Sequence, residues 1–485
     1  MEQVEHYDVC IIGAGICGLN ALFVASQYLR PGQRAILIDR RERAGGMWVD
    51  TYDYVRLHQP HPFFTAGNIG WTLGREPSHL AGKPEALDHF GHCLDVIRRR
   101  IAIDELYGWT MQSAIEDGAT VRVTCTADDG RELVVQTARL IKAYGVEVQP
   151  NAPLPVSSNS VRSVSPDSCD VRGDPIESSA APVWIIGGGK TAMDTAYALI
   201  TAHPGREVNL LAGSGTYFGC RDRMFPTGAR RWWGGLPLGT FADELTIRFD
   251  GTNEDQVASW CRQRCGVWLT PTTGNYLFGV LSCAENSTIA AGLAQVVMDH
   301  LVDVVDRDGR PELRLRSGAV RPIDPGSWII NCTGYLLRAP RPYEPHTSPS
   351  GRVLSINARA ATLHLTTYMG YLLTHLMFTG QLATLGLYEL DLQELRRKSN
   401  AVLPYAMMTL AQHNMSLIAD ALPAKAFRDC GLDFQRWYPL PRRAAGTARY
   451  IATHHKRRPH LRRTLDTVAE RFDVRCAPLH QLQPV

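Results

Sequence analysis

Two glycine clusters hold the residues best suited to chemistry in this chain. The first closes the run Asp8-Val9-Cys10-Ile11-Ile12-Gly13-Ala14-Gly15-Ile16-Cys17-Gly18, where an apolar stretch breaks into G-x-G-x-x-G. Gly13 suits a tight turn out of a strand, and Gly15 admits a pyrophosphate close to the backbone. Gly18 lets a helix opening near Ile16 pack on the sheet with its N-terminus toward the phosphates. The next apolar run, Ala35-Ile36-Leu37-Ile38, ends in Asp39, about 20 residues on, where a carboxylate accepts hydrogen bonds from an adenosine ribose. The second cluster is Val183-Trp184-Ile185-Ile186-Gly187-Gly188-Gly189-Lys190-Thr191-Ala192, a strand running into G-x-G-x-x-A.

The strand after the second cluster differs from its counterpart. Val208-Asn209-Leu210-Leu211-Ala212 leads into Gly213-Ser214-Gly215, with no acid at its tip. A carboxylate there would repel a ribose 2′-phosphate, whereas Ser214 with Arg221 or Arg223 would accept one. NADPH is therefore expected over NADH. One such unit takes one dinucleotide, so the pair implies two, which is the pattern of a flavin reduced by a nicotinamide.

These residues need α/β units to position them. The expected architecture is two Rossmann-like dinucleotide-binding domains, the NADPH domain inserted into the FAD domain, with a mainly helical C-terminal part. Residues 1–150 are expected to form the first part of the FAD domain and 151–181, rich in Pro, Ser and Asn, a crossing between domains. Residues 182–335 then form the NADPH domain with a helical insertion at about 243–306, and 336–485 return to the FAD domain before the helical region. Within the first part, Pro84–Ile97 has helical periodicity and Ala119–Cys125 alternates as a strand. A Pro-rich stretch around Arg338–Pro349 marks the return of the chain.

Composition is that of an ordinary globular protein: 485 residues, 45% hydrophobic and 20% charged, with net charge +3. So small a net charge gives no global field for nucleic acid or an acidic partner. The stretch His454–Arg463 is strongly basic and reads as a solvated helix face. The 12 cysteines form no CxxC pair or zinc-finger spacing, consistent with a reducing cytoplasm. Cys10, Cys17, Cys261 and Cys265 are expected to be packing residues. A first strand within ten residues of Met1 leaves no room for a signal peptide. Residues 366–384 are apolar but carry His375 and Gln381, which favours a core helix over a membrane span. A cytoplasmic location without stable membrane insertion is expected; oligomeric state is not readable.

Further motifs resemble those of the class B flavoprotein monooxygenases, the group containing flavin-containing, Baeyer–Villiger and YUCCA-type enzymes. Gly45-Gly46-Met47-Trp48 matches the family's GGxW, and Thr51-Tyr52-Asp53-Tyr54-Val55-Arg56-Leu57-His58-Gln59-Pro60 resembles its TYDxLxLHxP segment. Gly187–Asp194 is similar to GxGxSAxD, and Asn331-Cys332-Thr333-Gly334-Tyr335 to the ATGY strand. The resemblance covers residues 7–335. It implies FAD and NADPH as cofactors, and one oxygen atom from O2 passed to a small organic substrate through a flavin C4a-(hydro)peroxide. It also places cofactor contacts at Gly13, Ala14, Gly15, Gly18, Asp39, Arg40, Gly46, Met47, Trp48, His58 and Met111. The second set is Gly187, Gly188, Gly189, Lys190, Thr191, Ala192, Ser214, Arg221, Thr333 and Gly334.

Catalytic candidates follow GGMW closely. His58 occupies the LHxP histidine, and Asn68 resembles the active-site asparagine of flavin-containing monooxygenases without the motif that surrounds it there; Arg56, His61 and Trp71 belong to the same segment. The family's FxGxxxH fingerprint is missing, since the crossing reads Ser160-Val161-Arg162-Ser163-Val164-Ser165-Pro166. Two other readings therefore stay open: an NADPH-dependent flavin oxidase or dehydrogenase without oxygen transfer, and a non-catalytic FAD/NADPH-binding redox sensor. A disulfide reductase would need a redox cysteine pair near the flavin.

Overall fold

The apolar run before the first glycine cluster forms β1 (Glu5–Ile12), fully buried from Val9 to Cys10 and Ile11, and the cluster itself turns the chain into α1 (Ile16–Tyr28). The computed structural model describes residues 4–146, 148–276, 278–334 and 340–479. Tyr335, the 335/336 domain boundary and Arg338 at the start of the Pro-rich return lie outside the described residues. After α1 come β2 (Arg34–Asp39), the single-turn α2 (Met47–Asp50), α3 (Lys83–Arg98), β3 (Ala102–Tyr107), β4 (Trp109–Asp117), β5 (Thr120–Ala127) and β6 (Glu132–Ala143). Strand order is β3-β2-β1-β6-β5-β4. The pairs β3–β2, β2–β1 and β1–β6 are parallel, and β6–β5 and β5–β4 antiparallel.

The second sheet is wholly parallel. It contains β7 (Arg162–Val164), β8 (Val183–Ile186), which feeds α4 (Lys190–Ala202), and β9 (Val208–Leu211). A small sheet follows, built from β10 (Phe218–Cys220), β11 (Gly266–Val267) and β12 (Val280–Leu281). Around it lie the short α5 (Arg221–Met224) and α6 (Arg230–Trp233), then α7 (Leu238–Arg248), α8 (Glu254–Cys265) and α9 (Cys283–Gly292). Next come β13 (Leu293–Val297), an antiparallel meander of β14 (Leu301–Arg307), β15 (Arg310–Leu315) and β16 (Val320–Pro322), and then β17 (Trp328–Asn331). The main order is β13-β9-β8-β17-β7. Two expectations are corrected here. Residues 151–181 are more than a crossing, because β7 forms the edge of the second sheet. Residues 243–306 are not wholly helical: α9 runs straight into β13, which pairs with β9 at the other edge.

The chain then rejoins the first sheet through β18 (Val353–Ile356), parallel to the C-terminal end of β6. That pairing makes the second unit an insertion within the first. The remainder is mainly helical. The short β19 (Ala360–Ala361) precedes α10 (Thr366–Phe378), followed by β20 (Tyr388–Asp391), α11 (Leu392–Lys398), α12 (Leu403–Ala421), α13 (Ala424–Arg428), the 33-residue α14 (Leu440–Phe472) and β21 (Cys476–Pro478). Apolar α10 packs across α1, and Gly370 allows it, since a Cβ there would stand 2.4 Å from the Cys17 carbonyl. No helix among the described residues is long and apolar enough to cross a membrane.

Candidate functional site

A cavity of about 490 Å³ opens at the end of β1, in the size range of small-molecule sites. Its floor is the first glycine turn. Gly13 adopts φ +108°, and a Cβ on it would lie 2.5 Å from the Ala143 carbonyl, so only glycine fits. Gly15 and Gly46 stand back to back: a Cβ on Gly46 would come within 2.8 Å of the Gly15 Cα, and Gly46 itself has φ +55°. Gly18 takes no part in the lining; it lets α1 sit on the turn, because a Cβ there would overlap the Gly13 carbonyl.

Two helix N-termini face this cavity. Gly15 is the N-cap of α1, with no side-chain cap and no acid in the first turn, so its amide groups are available to an anion. Thr366 and Thr367, the first residues of α10, line the same cavity, again with no acid in the turn. Asp39 is buried against the glycine turn, its Oδ2 accepting from the Ala14 amide at 2.6 Å and its Oδ1 from the Arg41 amide at 2.8 Å. Each carboxylate oxygen keeps a lone pair for a ligand hydroxyl. Glycine cradle, amide-rich helix ends and a fixed buried carboxylate together fit an adenine dinucleotide.

Among the residues expected here, Gly13, Gly15, Asp39, Arg40, Gly46, Met47, Trp48 and Met111 line the cavity. Ala14 contributes its amide to Asp39 instead. Sequence reasoning missed Trp109, Tyr144, Arg341, Thr366 and Thr367, which also line it. Cys17 is the one cysteine of the lining, and burial pushes its thiol up to about 12. Redox exchange with a disulfide therefore has no cysteine pair in this cavity among the described residues.

The second glycine turn repeats the construction. Gly187 has φ +128°, and a Cβ on it would lie 2.4 Å from the Cys332 carbonyl; one on Gly188 would lie 2.4 Å from that of Ala212. Thr333 follows this contact directly, its hydroxyl donating to Asn331 Oδ1 at 2.6 Å, and Gly334 is exposed beside it. A Cβ on Gly189 would meet nothing within 4 Å, so the turn is open on the side where α4 presents uncapped amides without a first-turn acid. Lys190 pairs with Asp194 of the same helix, while Thr191 and Ala192 are buried against the sheet.

Residues 51–60 of the first unit lie on this second unit. Tyr52 Oη donates to Asp194 Oδ2 at 3.0 Å, and the Tyr54 and Thr195 hydroxyls are 2.8 Å apart. His58 accordingly misses the first cavity, contrary to expectation. Its backbone carbonyl accepts from Arg221 Nε at 2.8 Å. Burial, then the charges of Lys190 and Arg221, hold its imidazole well below the ordinary range, so it is neutral. Asn68 is also displaced from its expected role, being exposed on a turn with Nδ2 3.5 Å from Asp429 Oδ1. His61 packs edge-on to Trp71, which stacks on His89, as an aromatic cluster outside the cavity lining.

The grouping expected for a 2′-phosphate is corrected too. Arg221 pairs with Glu285 at 2.8 Å, and Arg223 donates to the carbonyls of Gln263 and Arg264 at the end of α8, at 3.2 and 3.1 Å. Both arginines, on α5, are thus engaged by α9 and the end of α8. Ser214 faces His300 instead, with Oγ 3.4 Å from Nε2. Burial works to raise the Glu285 carboxyl, and Arg221, Lys190 and the Ser282 amide outweigh it, so Glu285 stays ionised.

Comparison with known proteins agrees with this architecture. Residues 7–227 match the family model for pyridine nucleotide-disulphide oxidoreductases. An uncharacterized protein of Mycobacterium tuberculosis is 29% identical over 201 residues, which is 39% of this chain and 34% of that protein. MymA of Mycobacterium tuberculosis, whose name carries the words FAD-containing monooxygenase, is 39% identical over 64 residues, 13% of this chain and 12% of that protein. The chain thus matches about a third or less of the length of these curated relatives. A steroid monooxygenase solved in its oxidised form with NADP bound superposes with a TM-score of 0.50 at 15% identity, covering 86% of this chain and 98% of that one. The expected two-unit fold is the fold found.

Proposed function

We propose that this protein is a FAD-dependent oxidoreductase reduced by NADPH, and that it acts as a monooxygenase on a small organic substrate with O2. The observation that carries the reading is the pairing of two glycine turns, each opening an uncapped helix on its own parallel sheet, with residues 51–60 of the first unit bonded to α4 of the second. The overlap in fold with a steroid monooxygenase bound to NADP supports it, as does the short match to MymA.

In this reading FAD occupies the 490 Å³ cavity, its pyrophosphate against Gly13, Gly15 and the first amides of α1, its ribose on Asp39. When bound, it supplies hydride acceptance and O2 activation. The chain's own share is positioning and exclusion of water. The N-terminus of α10, at Thr366 and Thr367, favours negative charge where it lines the cavity. Gly187, Gly188 and Gly189 with the amides of α4 receive the NADPH pyrophosphate, and Ser214 with His300 stands at the ribose end. His58, neutral and close to Lys190 and Arg221, sits between the two units and can exchange a hydrogen bond with a ligand without adding charge.

A second reading, NADPH oxidase without oxygen transfer, is favoured by one observation. The stretch where FxGxxxH is expected forms the edge strand β7 and contains no histidine. Anaerobic reduction by NADPH followed by mixing with O2 and candidate amines, sulfides and ketones separates the two. Oxygenated product with NADPH consumed in equal amount supports the monooxygenase; hydrogen peroxide alone supports the oxidase.

A further inference from the structure

The functional site makes no use of the most basic stretch of the chain. From Phe434 to Leu465 there are nine Lys or Arg and no Asp or Glu, and Arg223 to Ala242 also contain no carboxylate. Structure brings these two segments together. Arg442 of α14 donates to the Arg231 carbonyl at 3.0 Å, and Arg231 Nε donates to the Trp437 carbonyl at 2.6 Å. At this junction apolar side chains are left in solvent. Trp232 and Trp233 are 56% and 76% exposed, Leu440 is 71% exposed and Ile451 64%.

Leu440, Ala444, Ala448 and Ile451 recur at i, i+4, i+8 and i+11, which is one stripe of a helix. All four are exposed; further along α14 the helix is held to the body by Ser416–His454 and by the Arg458 pair with Asp420. Arg449 and Lys456, seven residues apart, share a second exposed face of α14, and Arg230 precedes the tryptophans; all three are exposed. A large exposed apolar patch rimmed by polar groups marks an interaction surface. Exposed Trp and Leu next to exposed cations is the composition of a helix lying in a membrane interface.

We infer that α6 and the first five turns of α14 form a peripheral docking surface for an anionic lipid bilayer. The apolar stripe and the two tryptophans enter the headgroup region, and Arg230, Arg449 and Lys456 meet lipid phosphates. A second copy of this chain is a poor occupant, because a two-fold contact would set like charges face to face. Nucleic acid would satisfy the cations but leave Leu440 and Ile451 without an apolar partner.

Co-sedimentation of the full chain with vesicles of phosphatidylglycerol and phosphatidylcholine, against phosphatidylcholine alone, tests this. Binding to the anionic vesicles that weakens with salt is expected. Trp232→Ser with Trp233→Ser should reduce it by about tenfold or more, and Arg230→Glu with Arg449→Glu should remove the preference for anionic lipid. Leu440→Ser with Ile451→Ser is an independent second variant. These side chains are exposed, so thermal midpoint and flavin content should hold in all three. No binding to anionic vesicles at low salt, or binding unchanged by the tryptophan and leucine–isoleucine variants, would overturn the inference. So would tighter binding to a DNA duplex than to vesicles, or a dimer that the tryptophan variant converts to monomer.

Discussion

Gly15→Val separates flavin binding from folding more cleanly than any other single change at the cradle. Gly15 sits at φ −80°, ψ −177°, which any residue adopts, so no backbone strain is introduced. Its new Cβ would stand 3.4 Å from the Gly46 Cα, leaving the two γ-methyls crowded toward the cavity and over the first amides of α1. Replacing glycine by valine at an N-cap costs about 1 kcal/mol, so the apoprotein should still fold. The ligand loses more. If the pyrophosphate is displaced from about two charge-assisted hydrogen bonds at roughly 1.5–3 kcal/mol each, the loss is about 3–6 kcal/mol. That corresponds to a flavin affinity weaker by roughly 10²–10⁴. Flavin content after gel filtration, and titration of the apoprotein with FAD, read the effect. A valine variant isolated fully loaded, with wild-type affinity, would refute the placement of the pyrophosphate.

Other expectations follow from the same geometry. Gly187→Ala should destabilise the second unit itself, because its Cβ meets the Cys332 carbonyl at 2.4 Å on a left-handed backbone; a thermal midpoint equal to wild type would contradict this. Asp39→Ala should lower both stability, by about 1–3 kcal/mol, and flavin retention, since it orphans the Ala14 and Arg41 amides; denaturant melts of the apoprotein give the first and absorbance the second. NADPH should bleach the flavin faster than NADH under anaerobic conditions, and equal rates would remove the argument from the missing acid after β9. Burial lowers the His89 imidazole to about 3 and those of His375 and His413 to about 4, whereas the unfolded value is about 6.5. The unfolded chain therefore binds more protons in acid. Stability is complete above about 6.5 and falls as pH drops toward 4, by up to about 1.4 kcal/mol per pH unit for each histidine. Melts at pH 7 and pH 5 that coincide would contradict the buried, neutral state.

What was legible in the sequence was local. Gly13, Gly18 and Gly187 each declare a turn whose need for glycine is set by atoms within the same strand–turn–helix unit or the adjacent strand. The other half of the cavity was hidden because long-range pairing supplies it. Thr366 and Thr367 reach it only because β18 joins β6 and Gly370 lets α10 close on α1. His58 was misplaced for the opposite reason. It follows GGMW in sequence, but Tyr52 and Tyr54 tie the intervening chain to α4 and turn it toward the second unit. Ser214 and Arg221 are seven positions apart in the sequence, yet Ser214 meets His300 while Arg221 pairs with Glu285 of α9. The strand β13 passed for helix because Leu293–Val297 continues α9 with no Gly or Pro between them to signal the change beyond Gly292.

The central claim is a flavin reduced through the second unit and then used for oxygen transfer. Its most direct test is stopped-flow spectroscopy of the FAD-loaded protein, reduced anaerobically with NADPH and mixed with O2. NADPH should reduce the flavin, and a near-ultraviolet-absorbing species should then precede the return of the oxidised flavin spectrum and decay faster when an oxidisable substrate is present. Immediate return of oxidised flavin with one hydrogen peroxide released for each NADPH, indifferent to any substrate, would contradict it.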